Sequence, residues 1–246
     1  MSPFKPGSTL QVSVDVRNSG PGNATAIATV VVYWAVPTVG FAHPTFFGAT
    51  TVAVPPLRDP FQPGFSTTPI MSADIPATAP DHICLLVLVT HSLDQANTVA
   101  DPVNDRHWAQ RNLIAASANS GKPLNFDFVV ANPFATEEQL EMLVHVLRGP
   151  ALELVAFRMK AEPSEVWPHF QLADEHSKPV TDWTTQASIS LALGSYQERK
   201  YSLALELDKL PPHQVAAVEA VLYVPKEKQT PVGSLGIVVS GDDMAR

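Results

Sequence analysis

The sequence predicts an all-β protein built from two consecutive antiparallel β-sandwiches, and three observations support this fold class. First, 23 prolines against 12 glycines in 246 residues disfavour long helices and favour short elements joined by turns. Second, many segments alternate apolar and polar side chains, as half-buried strands do. Third, turn segments rich in Pro, Gly and Asn separate these strands at intervals of about ten residues, which is typical of a sandwich.

The first half opens with a strictly alternating strand, "TLQVSVDVRN", in which Leu10, Val12, Val14 and Val16 share one face. "NSGPGN" then forms a turn, because Asn and Gly tolerate the positive φ angles that tight turns need. Five further strands are predicted, in "ATAIATVVVYWAV", "ATTVAV", "FSTTPIMSADI", "HICLLVLVTH" and "HWAQRNLIAASA".

The second half repeats this pattern in "NFDFVVANP", "SISLALGS", "KYSLALELDKL", "AAVEAVLYVP" and "SLGIVVSG". Residues 136–148 fit a helix and a strand about equally. Thr136 and two following glutamates favour a helix locally. The surrounding strands favour a strand, which we predict.

Charge usage divides the chain. Residues 1–120 contain five Lys/Arg and seven Asp but no Glu, whereas residues 121–246 contain eleven Lys/Arg and seventeen Asp/Glu. The change coincides with the small polar stretch "AASANSGKP", which has the composition of a linker. We therefore predict two domains, residues 1–119 and 120–246.

Composition also excludes several classes of function. A net charge of −8 disfavours nucleic acid and anionic membrane surfaces as partners. The single cysteine, Cys84, excludes an internal disulfide and a cysteine-based zinc cluster. No apolar run is long enough for membrane insertion. We also find no nucleophile elbow, His-Glu-x-x-His, phosphate loop or dinucleotide fingerprint. The sequence therefore predicts no enzymatic activity and no cofactor.

The segment "PGSTLQVSVDVRNSGPGNATAIATVVVYW" resembles the opening of a CARDB or related bacterial Ig-like domain. The shared features are a glycine before an alternating strand, an Asn-x-Gly turn and a long second strand; "HICLLVLV", "DPVND" and Arg111–Asn112 match later features of such domains. The resemblance covers about residues 5–118, while the second half resembles a generic Ig-like sandwich. It implies an interaction or spacer role rather than an activity.

The strongest candidate for a binding site is a group of aromatic residues placed between predicted strands: Phe41, His43, Phe46, Phe47 and Phe61. Aromatic side chains on loops either pack onto the core or remain exposed for a partner. Both alternatives are open from the sequence. A carbohydrate could instead stack on a tryptophan such as Trp34, Trp167 or Trp183, if these are exposed.

The polar stretch "LDQANTVADPVNDRHWAQRN" offers oxygen ligands in Asp101, Asn104 and Asp105. Their spacing does not match a helix–loop–helix calcium site. Asp and Asn also serve as turn residues that bond their own backbone. We therefore predict a hairpin that joins the last two strands of the first sandwich, with these three residues as weak metal candidates only.

The sequence as a whole favours a non-catalytic binding or structural module of a bacterial surface, secreted or multi-component assembly. It would act through loops or sheet edges on a protein partner, with carbohydrate as a second ligand class. The alternative is an accessory domain of a metal-dependent or carbohydrate-active hydrolase. The chain as given shows no signal peptide; an extracellular or cell-surface location is expected if it belongs to a longer secreted protein.

Overall fold

A computed structural model of the chain describes residues 6–57, 62–80, 82–97, 99–102, 105–113, 116–117, 123–208, 210–225 and 231–241. The strands of the first half are β1 (Thr9–Val12), β2 (Asp15–Asn18), β3 (Ala26–Ala35), β4 (Thr38–Val39), β5 (Thr45–Val54), β6 (Gly64–Thr67), β7 (Met71–Asp74), β8 (Ile83–Thr90), β9 (Trp108–Leu113) and β10 (Ala116–Ser117).

The elements of the second half are β11 (Leu124–Ala131), β12 (Glu138–Val146), α1 (Gly149–Met159), β13 (Glu162–Pro163), β14 (His169–Asp174), β15 (Gln186–Leu193), β16 (Glu198–Glu206), β17 (Gln214–Tyr223) and β18 (Pro231–Ser240). Among the described residues, every element except α1 is a strand, and the predicted class of consecutive antiparallel sandwiches is confirmed.

The first half packs a four-stranded antiparallel sheet, β5–β3–β8–β9, against the narrower ladders β1–β7 and β2–β6. The predicted single strand over residues 9–18 is wrong in its continuity, because it divides after Val12. At the break, Thr68 and Val14 bond each other: the Thr68 N–H donates to the Val14 carbonyl at 2.9 Å, and the Val14 N–H donates to Thr68 Oγ1 at 2.9 Å. Pro69 follows and has no N–H with which to continue the ladder.

Strand β8 is covered on both of its faces. Ile83 packs in a cluster with Val32 and Phe47, towards the β1–β7 ladder. Cys84 and Leu86 point to the opposite face and belong to a cluster that continues into the second half of the chain. Two-sided burial explains why "ICLLVLV" is a continuous apolar run rather than an alternating one.

The two halves are joined by the short strand β4. It pairs in parallel with β11, and the Val129 N–H donates to the Pro37 carbonyl at 2.7 Å. Val39 and Phe41 are buried in the cluster that both halves share. Residues of the predicted first domain thus complete a sheet of the second half. The division at residue 119 stays a prediction.

In the second half, the sheet β10–β18–β17–β12–β15, whose sixth strand β13 pairs with β17, faces the sheet β14–β16–β11–β4. The strand prediction for residues 136–148 is confirmed, since β12 lies between β15 and β17. Leu140, Met142 and Val144 are all buried, which is a period of two. Pairing on both sides outweighs the local helix signal.

The helix α1 was not predicted. Pro150 lies in its first turn, and Lys160 ends it in a left-handed conformation with φ 55°. Leu152 and Ala156, four residues apart, are the buried side chains of the helix, and Leu152 packs in a cluster with Ala217 of β17. At 11 residues, α1 is too short to cross a membrane, and no other helix within the described ranges could do so.

Candidate binding surface

The structure separates the predicted aromatic residues by burial. Phe46 is 62% exposed, whereas Phe47 is 6% and Phe41 is 4% exposed. His43 is exposed, and Phe61 lies outside the described residues. The predicted loop contains Phe41 and His43, but Phe46 and Phe47 lie in β5 instead. Neighbouring residues in a strand point to opposite faces, which explains the contrast between these two phenylalanines.

Phe41 and Phe47 are core residues. Phe47 packs in a cluster with Val32, Met71 and Ile75 inside the first sandwich. Phe41 packs in the cluster shared by the two halves. Burial therefore removes both from the surface available to another molecule. For these two residues, the core-packing alternative holds.

Phe46 is held in place by a row of aromatic rings. Its ring meets Tyr33 of β3 edge to face, with centroids 6.3 Å apart and planes at 80°. Tyr33 in turn contacts Trp108 at 6.4 Å. Trp108 is buried and directs its Nε1–H to the Asn97 carbonyl at 3.4 Å. The exposed ring thus rests on a supported base, where its position is restrained before any partner arrives.

His43 lies beside a residue of the other half. Its ring centroid is 5.9 Å from that of Tyr196 in the turn between β15 and β16. Tyr196 has φ 52°, and its N–H donates to the Phe134 carbonyl at 3.1 Å. Tyr196 was not predicted as part of this surface, because nothing in a polar turn indicates which distant segment will lie against it.

The predicted polar hairpin between β8 and β9 is confirmed. Its central carboxylate, Asp105, is hydrogen-bonded to other residues of the hairpin. Asp105 accepts the N–H of Asn97 at 2.9 Å and the N–H of His107 at 3.0 Å. Its Oδ1 also lies 2.6 Å from His107 Nδ1. Asp94 accepts two bonds from Arg106, at 2.7 and 2.9 Å. Asn104 lies outside the described residues.

The pKa values of the two loop carboxylates are shifted by these contacts. Desolvation acts on Asp105 to raise its pKa, but the bonds from the backbone of His107 and Asn97 outweigh it, so that its pKa lies below the usual value. The hydrogen bond from Arg106 is the main cause that lowers the pKa of Asp94. Both groups are therefore anionic at neutral pH. Within the described ranges, no three His, Cys, Asp or Glu side chains come together as a metal site.

Cys84 is unsuited to nucleophilic chemistry. Burial raises the pKa of its thiol to about 11, although contacts with Thr38 and Gln110 oppose this shift. The group is consequently a neutral thiol at physiological pH and behaves as a core side chain.

The tryptophans differ in how much ring they offer to a ligand. Trp167 is 49% exposed, but the guanidinium of Arg148 lies 3.8 Å from its ring centroid and covers one face. Trp183 is also partly exposed, and Trp34 packs against the first-half core.

No protein-family model matches the chain, and no curated protein matches it in sequence. Among solved structures, it is distantly similar to the CupB6 tip adhesin of Pseudomonas aeruginosa, with 8% identity, a TM-score of 0.29, and coverage of 96% of this chain and 91% of that one. The CfaE adhesin of enterotoxigenic E. coli gives 8% identity, a TM-score of 0.30, and coverage of 99% and 82%.

Red sea bream transglutaminase gives 12% identity and a TM-score of 0.26 over 98% of this chain, which spans 31% of the length of that enzyme. Similarities this distant carry no functional argument. The generic β-sandwich is evident from the sheets themselves. The finer resemblance to CARDB domains stays a prediction.

Proposed function

We propose that this protein is a non-catalytic binding module that recognises a protein partner through the surface around Phe46. The observation that carries the proposal is the exposed Phe46 ring, fixed on Tyr33 and Trp108. Large apolar side chains that are exposed on a rigid support are typical anchors of protein interfaces, because their burial by a partner costs little conformational entropy.

The chemistry around the ring supports binding rather than catalysis. The carboxylates of the neighbouring β8–β9 hairpin are bonded to their own loop, and the Cys84 thiol is buried and neutral. Tyr33, Trp108 and Phe46 lie on one sheet, so the anchor is part of the scaffold rather than of a loop. The resemblance of residues 5–118 to bacterial surface modules supports a role in a surface, secreted or multi-component assembly.

Site-specific photo-crosslinking tests the proposal. A photoreactive phenylalanine analogue is placed at position 46 of the full chain, in cells that make the protein, and at Ile27 as a control. Ile27 is a matched position, since it lies on β3 and is 59% exposed. We expect a discrete crosslinked protein from position 46 and none from position 27.

Two alanine variants distinguish the anchor from the core. Phe46→Ala should abolish binding of the protein that crosslinking identifies, while leaving the melting temperature close to that of the wild type. Phe47→Ala should lower the stability by about 3–5 kcal/mol, because it leaves a cavity. Crosslinking that is equal at positions 46 and 27, or a stability loss in Phe46→Ala as large as in Phe47→Ala, would refute the proposed anchor.

The alternative role, as an accessory domain of a hydrolase that acts on carbohydrate, predicts a different outcome. In that case a polysaccharide column should retain the protein, and Trp183→Ala should remove this retention while Phe46→Ala leaves it unchanged.

A further inference from the structure

The outer edge of β15 is open at its centre. In its sheet β15 occupies the end position, and among the described residues it pairs with β12 alone. At its first residue, the Thr184 hydroxyl bonds both the N–H and the carbonyl of Gln186. Near its last residue, the Arg199 guanidinium donates to the Ala192 carbonyl at 3.5 Å. Side chains therefore close the two ends of this edge.

These contacts reveal which backbone groups point outward. The bonds at Gln186 and Ala192 lie on the side away from β12, and backbone direction alternates along an antiparallel strand. Ser188 and Ser190 have the same parity and so direct their N–H and carbonyl groups outward as well. Their side chains are exposed, while Ala187 and Ile189 are half-buried and pack against the core at the rim of the sheet.

The composition of β15 leaves this edge without the usual protection. Its sequence, "QASISLAL", has no charged residue and no proline, which are the common devices that keep sheet edges from pairing. The outer edge of β14 is covered by its own chain, since the Val180 N–H donates to the Leu172 carbonyl at 2.8 Å. The uncharged edge strand β5 is flanked by β6, from which Ser66 Oγ donates to the Ala53 carbonyl at 2.7 Å.

We propose that β15 is a self-association site, at which two copies of this chain pair edge to edge about a two-fold axis at Ile189. In this antiparallel register, Ser188 of one copy lies opposite Ser190 of the other, and the converse pair forms by symmetry. Each pair exchanges both backbone hydrogen bonds. The six-stranded sheets of the two copies then join into one continuous sheet.

A second copy fits this edge for reasons of pattern and charge. In the proposed register Ile189 meets its symmetry mate, and Ala187 meets Leu191, so the half-buried rim of each sheet becomes covered. The protein has a net charge of −8, which makes two copies repel, but β15 contributes no charge to that repulsion. Antiparallel pairing also places the end of β15 that Arg199 closes, in one copy, beside the Gln186 end of β15 in the other copy. Asp182 precedes that end in the sequence.

This inference deepens the proposed function by adding a second partner, another copy of the chain, at a surface on the second half. The two proposals fail separately. A strictly monomeric protein would refute the β15 pairing and leave the crosslinking test at Phe46 unaffected.

Sedimentation velocity of the full chain, from roughly 1 to 500 µM, tests the proposal. We expect a monomer at low concentration and a reversible dimer at high concentration. Ser190→Pro removes an outward N–H that does not bond β12, and proline is tolerated at such edge positions. It should weaken dimerisation at least about tenfold. Ser190→Ala is the matched control and should dimerise like the wild type, since the pairing uses backbone groups.

Amide hydrogen exchange on the wild type locates the contact without any substitution. The amides of Ser188 and Ser190 should exchange more slowly at high than at low protein concentration. Should Ser190→Pro fail to fold, the double variant Ser188→Lys/Ser190→Lys places like charges opposite each other and should remain monomeric. A wild type that is monomeric throughout, or concentration-independent exchange at both serines, would overturn the proposal.

Discussion

Strand β8, in the sheet β5–β3–β8–β9, and the edge strand β15 differ in how many of their faces are buried. Strand β8 is apolar at nearly every position, and its first four residues are buried on both faces of the sheet, because the first-half ladders cover one side and the shared cluster covers the other. Strand β15 alternates strictly, with Ser188 and Ser190 in water and Leu191 in the core. Burial on two faces rather than one is what distinguishes their sequences.

This difference shows that the two sandwiches depend on each other. A free first sandwich would expose Cys84, Leu86 and Phe41 to water, whereas in the chain they share a core with the second half. The small strand β4 maintains that contact by bonding to β11. The second half in turn keeps a polar face and an open edge at β15. Contacts with other molecules are therefore expected at the open edge and at Phe46, not at the covered face.

The largest effect on stability is expected from a cavity beside β8, in the sheet that is covered on both faces. Leu86→Ala removes a side chain that is fully buried on the shared face and should lower the free energy of unfolding by about 2–5 kcal/mol. Ser190→Ala, on the wet face of β15, should change it by less than about 0.5 kcal/mol. Urea denaturation measures both. A small loss in Leu86→Ala would mean that this face is not packed against the second half.

A smaller effect is expected from loosening β4. Gly40 has φ 77°, and a Cβ there would lie 2.5 Å from the Ala131 carbonyl oxygen. Gly40→Ala should therefore cost about 2 kcal/mol, from the positive φ and from this clash. Hydrogen exchange of the Val129 amide, which bonds Pro37, should accelerate.

The matched control for this change is Gly22→Ala, since a Cβ at Gly22 meets nothing within 4 Å and that glycine has no positive φ. Unchanged exchange at Val129 in Gly40→Ala would show that β4 does not hold the halves together.

The smallest effect concerns the hairpin that links β8 to β9. The pKa of Asp105 is lowered in the folded protein, relative to about 3.9 for an unfolded aspartate. Its contribution to stability is thus present above the unfolded value and is lost as the pH falls through the lower folded-state pKa. Asp105→Asn should cost about 1 kcal/mol at pH 7 and lose less stability than the wild type on acidification below about pH 4.

Thermal unfolding of both proteins from about pH 7 to about pH 2 measures this difference. Parallel acid profiles for the two proteins would show that the Asp105 carboxylate does not stabilise the hairpin.

Much of the strand pattern was predictable because it depends on local periodicity. Alternation located β11, β15 and β16, and a run of β-branched and aromatic residues located β3. Pairing on both sides resolved residues 136–148 as the strand β12. The helix α1 was missed because its apolar side chains do not mark a single face: Leu154 and Phe157 are exposed, and only Leu152 and Ala156 are buried. The strand over residues 9–18 was predicted without its break, since the interruption depends on Thr68, which lies 54 residues from Val14 in the sequence.

The site was predictable only in part. Sequence alone selected the aromatic segment 41–47 and the polar hairpin, because unusual composition is visible without a fold. It could not separate Phe46 from Phe47, since the face to which a strand residue points is fixed by pairing register, here Tyr33 opposite Phe46. Nor could it show that His43 lies beside Tyr196, or that the backbone groups of Ser188 and Ser190 point away from β12.

The amino-acid sequence by itself determined the all-β class, most of the strands and the turn chemistry of the polar hairpin, because these follow from the interactions of near neighbours along the chain. The tertiary structure decided that Phe41 is core, that Phe46 is exposed, and that β15 ends its sheet with an open edge. Those properties depend on which distant segments cover each face and each edge, and that covering is set by packing between parts of the chain that lie far apart in the sequence.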